Sequence, residues 1–108
     1  MAFKIALNPT FKTRVEVHTP NLKGGHDKST FMAEFMRCDM EELEELRSLP
    51  QVDVLRKKLV GWSDLVDEEN NPVDFNQDTL VALLRIPEAV DGLRYAFWSS
   101  IIRAREKN

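Results

Sequence analysis

The sequence predicts an α+β fold, in which a small antiparallel β-sheet in the N-terminal half packs against about four α-helices. Two observations predict it. Apolar and polar residues alternate in the first third of the chain, which is the period of a half-buried strand. From Asp39 onward, capping residues and prolines instead bound segments whose apolar residues recur at helical spacing. A chain of 108 residues is long enough for one modest core, so residues 1–108 are expected to form a single domain.

The first two strands are predicted from Phe11 to Val17 and from Ser29 to Cys38. A polar segment with Pro20, Gly24 and Gly25 joins them, which favours a hairpin with a long connection. A weaker alternation of Phe3, Ile5 and Leu7 allows a third strand near the start. Because a two-stranded hairpin is only marginally stable, this sheet must gain strands or pack on helices.

Two helices are expected next. Asp39 is placed to cap a helix from Met40 to about Leu49, with Glu42 three residues after the cap. Pro50 disfavours helical geometry at the residue before it and suits the first turn of a new helix. The apolar residues Val52, Leu55 and Leu59 make that second helix amphipathic.

The remaining chain predicts a short strand, a polar turn and two more helices. Val60–Val66 is expected to be a strand that returns at Val73–Phe75 after the turn. Asn76 is placed to cap a helix from Gln77 to about Arg85. After the break at Pro87, a last helix from Glu88 to about Arg105 buries one apolar stripe and ends in basic residues that complement its dipole. The stripe and its flanks contain Val90, Leu93, Phe97, Trp98, Ile101 and Ile102, and the basic residues are Arg103, Arg105 and Lys107.

Composition excludes several classes of function. With 15 Lys and Arg against 18 Asp and Glu, the formal charge is −3, which disfavours sequence-independent binding to nucleic acid. The lone Cys38 cannot close an intrachain disulfide, so the cytoplasm is the expected compartment. No segment approaches the ~20 apolar residues of a membrane span, and none predicts contact with a membrane.

Candidate catalytic and metal-binding residues do not form a recognisable motif. Cys38 with His18 or His26 would be needed for a nucleophilic dyad, and nothing in their spacing places them together. The acidic run Asp67–Asn71 lacks the residue order of an EF-hand and is better interpreted as a hydrated turn. We therefore expect no catalytic residue, no metal and no cofactor, and the chain is not expected to be an enzyme.

Apolar residues exceed what a small core needs. On the second strand Phe31 and Phe35 point to one face while Met32 and Met36 point to the other. Either the sheet is covered on both faces, or one face meets a partner. Met32, Met36, Trp62 and Trp98 are therefore the candidate partner-binding residues, although burial in the core is the alternative for each.

The stretch Val60–Leu84, followed by Ile86–Pro87 and the terminal helix, resembles the tail assembly chaperones of long-tailed bacteriophages and prophages. The shared pattern is a strand with Gly-Trp, an acidic turn with Asn-Pro, a Phe before a capped helix with paired Leu, then Ile-Pro and an aromatic helix. In this sequence the pattern is Gly61-Trp62, Asp67–Pro72, Phe75, Leu83-Leu84, Ile86-Pro87 and the segment from Glu88 to Asn108.

The resemblance implies a protein of the host cytoplasm, absent from the mature virion, that keeps the tape-measure protein soluble while tail-tube subunits assemble around it. It also implies a C-terminally extended form, made by translational frameshifting, that recruits tail-tube subunits. Self-association is expected as well. The ending Glu106-Lys107-Asn108 permits a run of adenines in the message on which a ribosome could slip. Two alternatives remain: a small phage structural or head–tail joining protein, and a small hydrolase that uses Cys38 with His18.

Overall fold

The computed structural model describes residues 1–106, with side chains through residue 102. Its centre is a three-stranded antiparallel sheet of β1 (Thr10–Pro20), β2 (His26–Met36) and β3 (Leu59–Ser63), in the spatial order β1-β2-β3. Four helices accompany the sheet. The predicted α+β fold class is confirmed, and the two predicted N-terminal strands form the expected hairpin.

The third strand is not the one that alternation near the start suggested. Phe3, Ile5 and Leu7 precede β1 and belong to no strand. The edge next to β2 is filled instead by β3, in which Leu59 pairs with Phe35 and Trp62 with Ala33. Leu59 and Trp62 bring apolar side chains to the inner face of the sheet, whereas the apolar side chains of the segment before β1 are exposed.

The predicted strand-turn-return after Val60 is only partly formed. Three backbone hydrogen bonds close the turn, each of 2.9 Å: the N–H groups of Asp67, Asn70 and Val73 donate to the carbonyls of Asn71, Asp67 and Leu65, respectively. A single bridge between Val66 and Pro72 is all the pairing there. The extended segment therefore pairs mainly with β2 and not with its own return.

The helices are α1 (Met40–Arg47), α2 (Gln51–Lys58), α3 (Gln77–Leu83) and α4 (Pro87–Glu106). Both predicted caps form. The Asp39 carboxylate accepts a hydrogen bond from the backbone N–H of Glu42 at 2.9 Å, and Asn76 forms a reciprocal capping box with Thr79. Helix α2 ends one residue before Leu59, because Leu59 is extended and begins β3. Of the predicted basic C-terminal residues, Lys107 lies outside the described residues.

The core lies between the inner face of the sheet and α4. Phe35 and Phe97 are fully buried with ring centroids 5.1 Å apart, and the Phe11 ring lies 5.7 Å from Phe35. Ser100 in α4 donates a hydrogen bond to Thr13 in β1 at 3.0 Å, or accepts one from it. These contacts place α4 along β1 and leave the last apolar residues of its stripe, Ile101 and Ile102, partly exposed. Among residues 1–106, no helix has both the length and the apolarity to cross a membrane.

Candidate functional site

A groove of about 560 Å³ opens where the start of β1, the first turn of α1 and the C-terminal part of α4 meet. Its walls combine apolar and charged side chains. The apolar lining residues are Phe11, Cys38, Met40, Leu43 and Ile101, and the polar ones are Lys12, Arg37, Asp39 and Ser100. A lining that combines apolar side chains with a few polar ones is typical of a surface that binds another molecule.

The cap of α1 determines which apolar side chains reach the groove. Because Asp39 fixes the start of the helix, Met40 and Leu43 lie one turn apart on the same side. Leu43 is buried, whereas Met40 is 66% exposed. Methionine is flexible and polarisable, so Met40 can adapt to different apolar partners.

Arg37 connects the groove to the segment before β1. Its backbone N–H donates to the carbonyl of Pro9 at 2.9 Å, and its Nε donates to the carbonyl of Asn8 at 2.8 Å. The guanidinium also lies 5.6 Å from the centroid of the Phe11 ring. One margin of the groove is therefore held in place by hydrogen bonds and a cation–π contact.

Lys58 ties α2 to the groove residue Arg37, and it was not among the residues predicted from the sequence. The residue is only 3% exposed. Its ammonium lies 2.9 Å from a carboxylate oxygen of Glu42 and donates to the carbonyl of Arg37 at 3.2 Å. The signal was present, because Lys58 follows the buried Val54 by four residues and so lies on the apolar side of its helix.

The chemistry of Cys38 reflects these surroundings. Burial raises the pKa of the Cys38 thiol above its ordinary value; the carboxylates of Glu42 and Asp39 raise it further, and the nearby Lys58 ammonium opposes them. A thiol with a raised pKa is a poor nucleophile at neutral pH, because little of it is ionised.

The proposed dyad of Cys38 with His18 is not assembled. Thr10 pairs with Met36, two residues before Cys38, whereas His18 pairs with Lys28 toward the other end of the hairpin. The eight residues from Thr10 to His18 span about 26 Å of strand. His26 pairs with Pro20 at the same distant end, so neither imidazole reaches the thiol.

The residues described by the structure contain no group of three or more His, Cys, Asp and Glu side chains arranged to hold a metal ion. In the acidic turn, the Asp67 carboxylate accepts hydrogen bonds from the backbone N–H groups of Glu69 and Asn71, at 2.9 and 3.0 Å. The Asp67 side chain therefore closes the turn, in agreement with the interpretation of the acidic run Asp67–Asn71 as a turn.

The four candidate partner-binding residues do not form one surface. Met32 and Met36 lie on the outer face of the sheet, where Met32 is half-buried and Met36 is exposed. Trp62 donates its indole N–H to the carbonyl of Val73 at 2.7 Å, and Trp98 donates to the side chain of Gln51 at 2.9 Å. Both indoles are half-buried and packed against the core, so they stabilise the fold.

None of these four residues lines the groove, and sequence reasoning missed the exposed apolar residues that do. Met40 and Ile101 were interpreted as parts of apolar helix stripes, and their partial exposure depends on how α1 and α4 end against β1. A sequence pattern does not give the distances between α1, α4 and β1, so it cannot predict which of these side chains stay exposed.

Comparison with known proteins gives no match: no family model, no curated protein and no solved structure is similar to this chain.

Proposed function

We propose that this chain is a tail assembly chaperone of a long-tailed phage or prophage. In this role it binds the tape-measure protein and keeps it soluble while the tail tube assembles, and no bond is made or broken. The resemblance of Val60–Leu84 to that family supports the proposal. The observation that carries it is the groove between β1, α1 and α4, whose lining includes the exposed apolar residues Met40 and Ile101.

The groove suits one face of an amphipathic helix. Such a helix inserts apolar side chains spaced three and four residues apart into a hydrophobic groove. Helix α1 exposes Glu41, Glu44 and Glu45 to solvent beside this groove. The groove itself is lined by Lys12 and Arg37 as well as Asp39. The fitting occupant is therefore a segment of the tape-measure protein whose apolar face is bordered by Lys or Arg toward the α1 glutamates and by Asp or Glu toward Lys12 and Arg37.

Binding of this kind is reversible, which a chaperone requires. Apolar burial supplies affinity without a covalent step, and the net charge of −3 helps to keep the complex soluble. In the proposed cycle, tail-tube subunits displace the chaperone as they polymerise, and a frameshifted, C-terminally extended form recruits them. The proposal places the chain in the host cytoplasm, capable of self-association and absent from the mature virion.

Co-expression with the tape-measure protein of the same tail gene cluster tests the proposal. We expect the tape-measure protein to be soluble with the wild-type chain and to precipitate without it. Met40→Asp should remove this effect, because a carboxylate at the groove opening opposes apolar binding. Val81→Asp is the matched control, since Val81 is an exposed apolar residue on α3, which contributes no lining residue to the groove.

Two results would overturn the proposal. One is a tape-measure protein that is equally soluble with and without this chain. The other is detection of the chain at stoichiometric levels in purified virions by mass spectrometry, which would favour a small structural or head–tail joining protein. Circular dichroism of both variants establishes that they are folded.

A further inference from the structure

Three large apolar side chains precede β1 and are exposed to solvent. Phe3, Ile5 and Leu7 are 80%, 93% and 53% exposed. We call residues 3–7 the arm. The chain bends in the middle of the arm and again at Pro9, so the arm does not extend β1 in a straight line. Exposed apolar side chains grouped in this way are typical of a segment that binds a surface.

The base of the arm adjoins the groove. The carbonyls of Asn8 and Pro9 accept hydrogen bonds from Arg37, at 2.8 and 2.9 Å. Arg37 lines the groove, and so do Phe11 and Lys12. The same three residues also line a second depression, of about 520 Å³, to which Asn8 and Pro9 contribute. The groove and the base of the arm therefore share one wall.

The charges of the groove are arranged to match those of the arm. Its two cations, Lys12 and Arg37, also line the depression at the base of the arm, so they lie on the near side of the groove. Asp39 is the only acid among the described residues that line the groove, and it does not line that depression. The arm has the uncharged Leu7 at its base and Lys4, its only charged side chain, further out. An arm turned toward the groove brings its ammonium to the carboxylate.

The arm can reach the groove while its base stays in place. From Asn8 to Lys4 an extended chain spans about 13 Å, and Asn8 is already hydrogen-bonded to the groove residue Arg37. A rotation about the backbone of Leu7 leaves that hydrogen bond intact. Because the arm is tethered at the edge of the groove, its effective concentration there is on the order of mM.

We infer that the arm closes over the groove of its own chain and competes there with the tape-measure protein, an inference that rests on the proposed function. In the closed state Ile5 and Leu7 pack on the apolar lining, and Lys4 pairs with Asp39. Burial of the apolar side chains favours closure, and the lost conformational freedom of five residues opposes it. Because these effects are of similar size, the tape-measure protein can displace the arm.

Cys38 reports closure directly, because it lines the groove and is the only cysteine of the chain. A closed arm shields the thiol, so Ile5→Asp should react with iodoacetamide about threefold faster than the wild-type chain at the same pH. Leu22→Asp is the matched control, since Leu22 is also fully exposed but lies in the turn between β1 and β2. In urea all three chains should react at one rate, and circular dichroism establishes that each is folded without urea.

The contact between Lys4 and Asp39 is tested separately. Lys4→Glu should also speed the reaction of Cys38, about twofold, because a carboxylate then faces Asp39 in the closed state. Lys23→Glu makes the same change of net charge at an exposed position of the hairpin turn and should leave the rate unchanged. A Lys4→Glu variant that reacts at the wild-type rate would overturn this contact.

A binding measurement separates the inference from the proposed function. Ile5→Asp should bind the tape-measure protein more tightly by the same factor as its Cys38 reacts faster, because the apparent dissociation constant scales with the open fraction. Equal Cys38 rates in Ile5→Asp and the wild-type chain would overturn the closure of the arm alone. A faster Cys38 reaction with no gain in affinity would instead overturn the groove as the site for the tape-measure protein. Protection of Cys38 that increases with protein concentration would show closure over a second copy and would overturn closure within one chain.

Discussion

Gly92 in α4 lies directly against the backbone carbonyl of Glu16 in β1. A β-carbon at Gly92 would overlap that carbonyl oxygen and would stand 3.2 Å from a methyl group of Val15. The absence of a side chain therefore sets how closely the helix approaches the strand. This approach is what allows Phe97, further along α4, to pack against Phe35 in the core.

Gly92→Ala is expected to destabilise the chain by about 2 kcal/mol, although alanine favours a helix more than glycine does. The added methyl group has to push α4 away from β1, which disturbs the core along the helix. Urea denaturation measures the effect. Gly25→Ala is the control, because its nearest neighbour would be 3.8 Å from the new β-carbon. Equal stability of the two variants would contradict the close approach.

The buried ammonium of Lys58 should contribute more to the free energy of unfolding than a lysine at the end of a helix usually does. Lys58→Ala leaves the carboxylate of Glu42 and the carbonyl of Arg37 without their partner, and the expected loss is about 2 kcal/mol. Lys57→Ala, at the exposed neighbouring position, should change the free energy of unfolding by less than about 0.5 kcal/mol. Denaturant titrations of the two variants in parallel check the difference, and a Lys58 variant as stable as the Lys57 variant would be incompatible with the pairing.

Local patterns predicted most of the elements, because they depend on residues close in the sequence. Asp39 and Asn76 cap helices as their side chains predict, and the alternation from Phe11 onward marks β1. The third strand of the sheet was predicted in part, since the expected strand Val60–Val66 overlaps β3. The strand allowed at Phe3, Ile5 and Leu7 does not form, because period-two alternation does not reveal a pairing partner. Leu59 begins β3 only because Phe35 of β2 lies opposite it.

The groove depends on distances between elements, and for that reason the sequence alone did not locate it. No sequence pattern marks Gly92, yet it sets how closely α4 approaches β1. Trp62 was interpreted as surplus apolar surface. Its indole N–H instead donates to the carbonyl of Val73, and its ring packs edge-to-face against Phe75. Whether such residues are buried depends on tertiary packing, which the apolar periodicity of the sequence does not show.

Ionisation of Cys38 should be shifted to higher pH by the fold. Because burial raises the pKa of the Cys38 thiol, its reaction with iodoacetamide should reach half-maximal rate at a higher pH in the folded chain than in urea. The folded state prefers the protonated thiol, so this preference contributes full stability below the unfolded pKa and is lost as pH rises through the folded pKa. Cys38→Ser should remove that part of the alkaline loss of stability. Identical pH–rate profiles with and without urea would show the assignment to be incorrect.

The capping box of α3 gives a local test of the sequence-based prediction. Asn76 accepts from the backbone N–H of Thr79 at 3.0 Å, and the Thr79 hydroxyl accepts from the backbone N–H of Asn76 at 2.9 Å. Asn76→Ala should cost about 1 kcal/mol in thermal denaturation. Asn71→Ala is the control in the exposed turn, where only the backbone of Asn71 takes part in the turn hydrogen bonds. A larger loss at Asn71 would contradict this assignment.

Trp62 is expected to contribute to the stability of the fold and not to partner binding. The exposed residue Met36 serves as the stability control. Trp62→Phe removes the indole N–H that donates to Val73 and weakens the edge-to-face contact with Phe75, whose ring centroid is 4.8 Å away. The expected loss is about 1–2 kcal/mol in the free energy of unfolding, with the affinity of the folded chain for its proposed partner, the tape-measure protein, unchanged. Met36→Ala should leave stability within about 0.5 kcal/mol, because the side chain is exposed. Isothermal titration calorimetry below both melting temperatures measures the affinities. Weaker binding by a fully folded Trp62→Phe variant would instead make Trp62 part of the partner-binding surface.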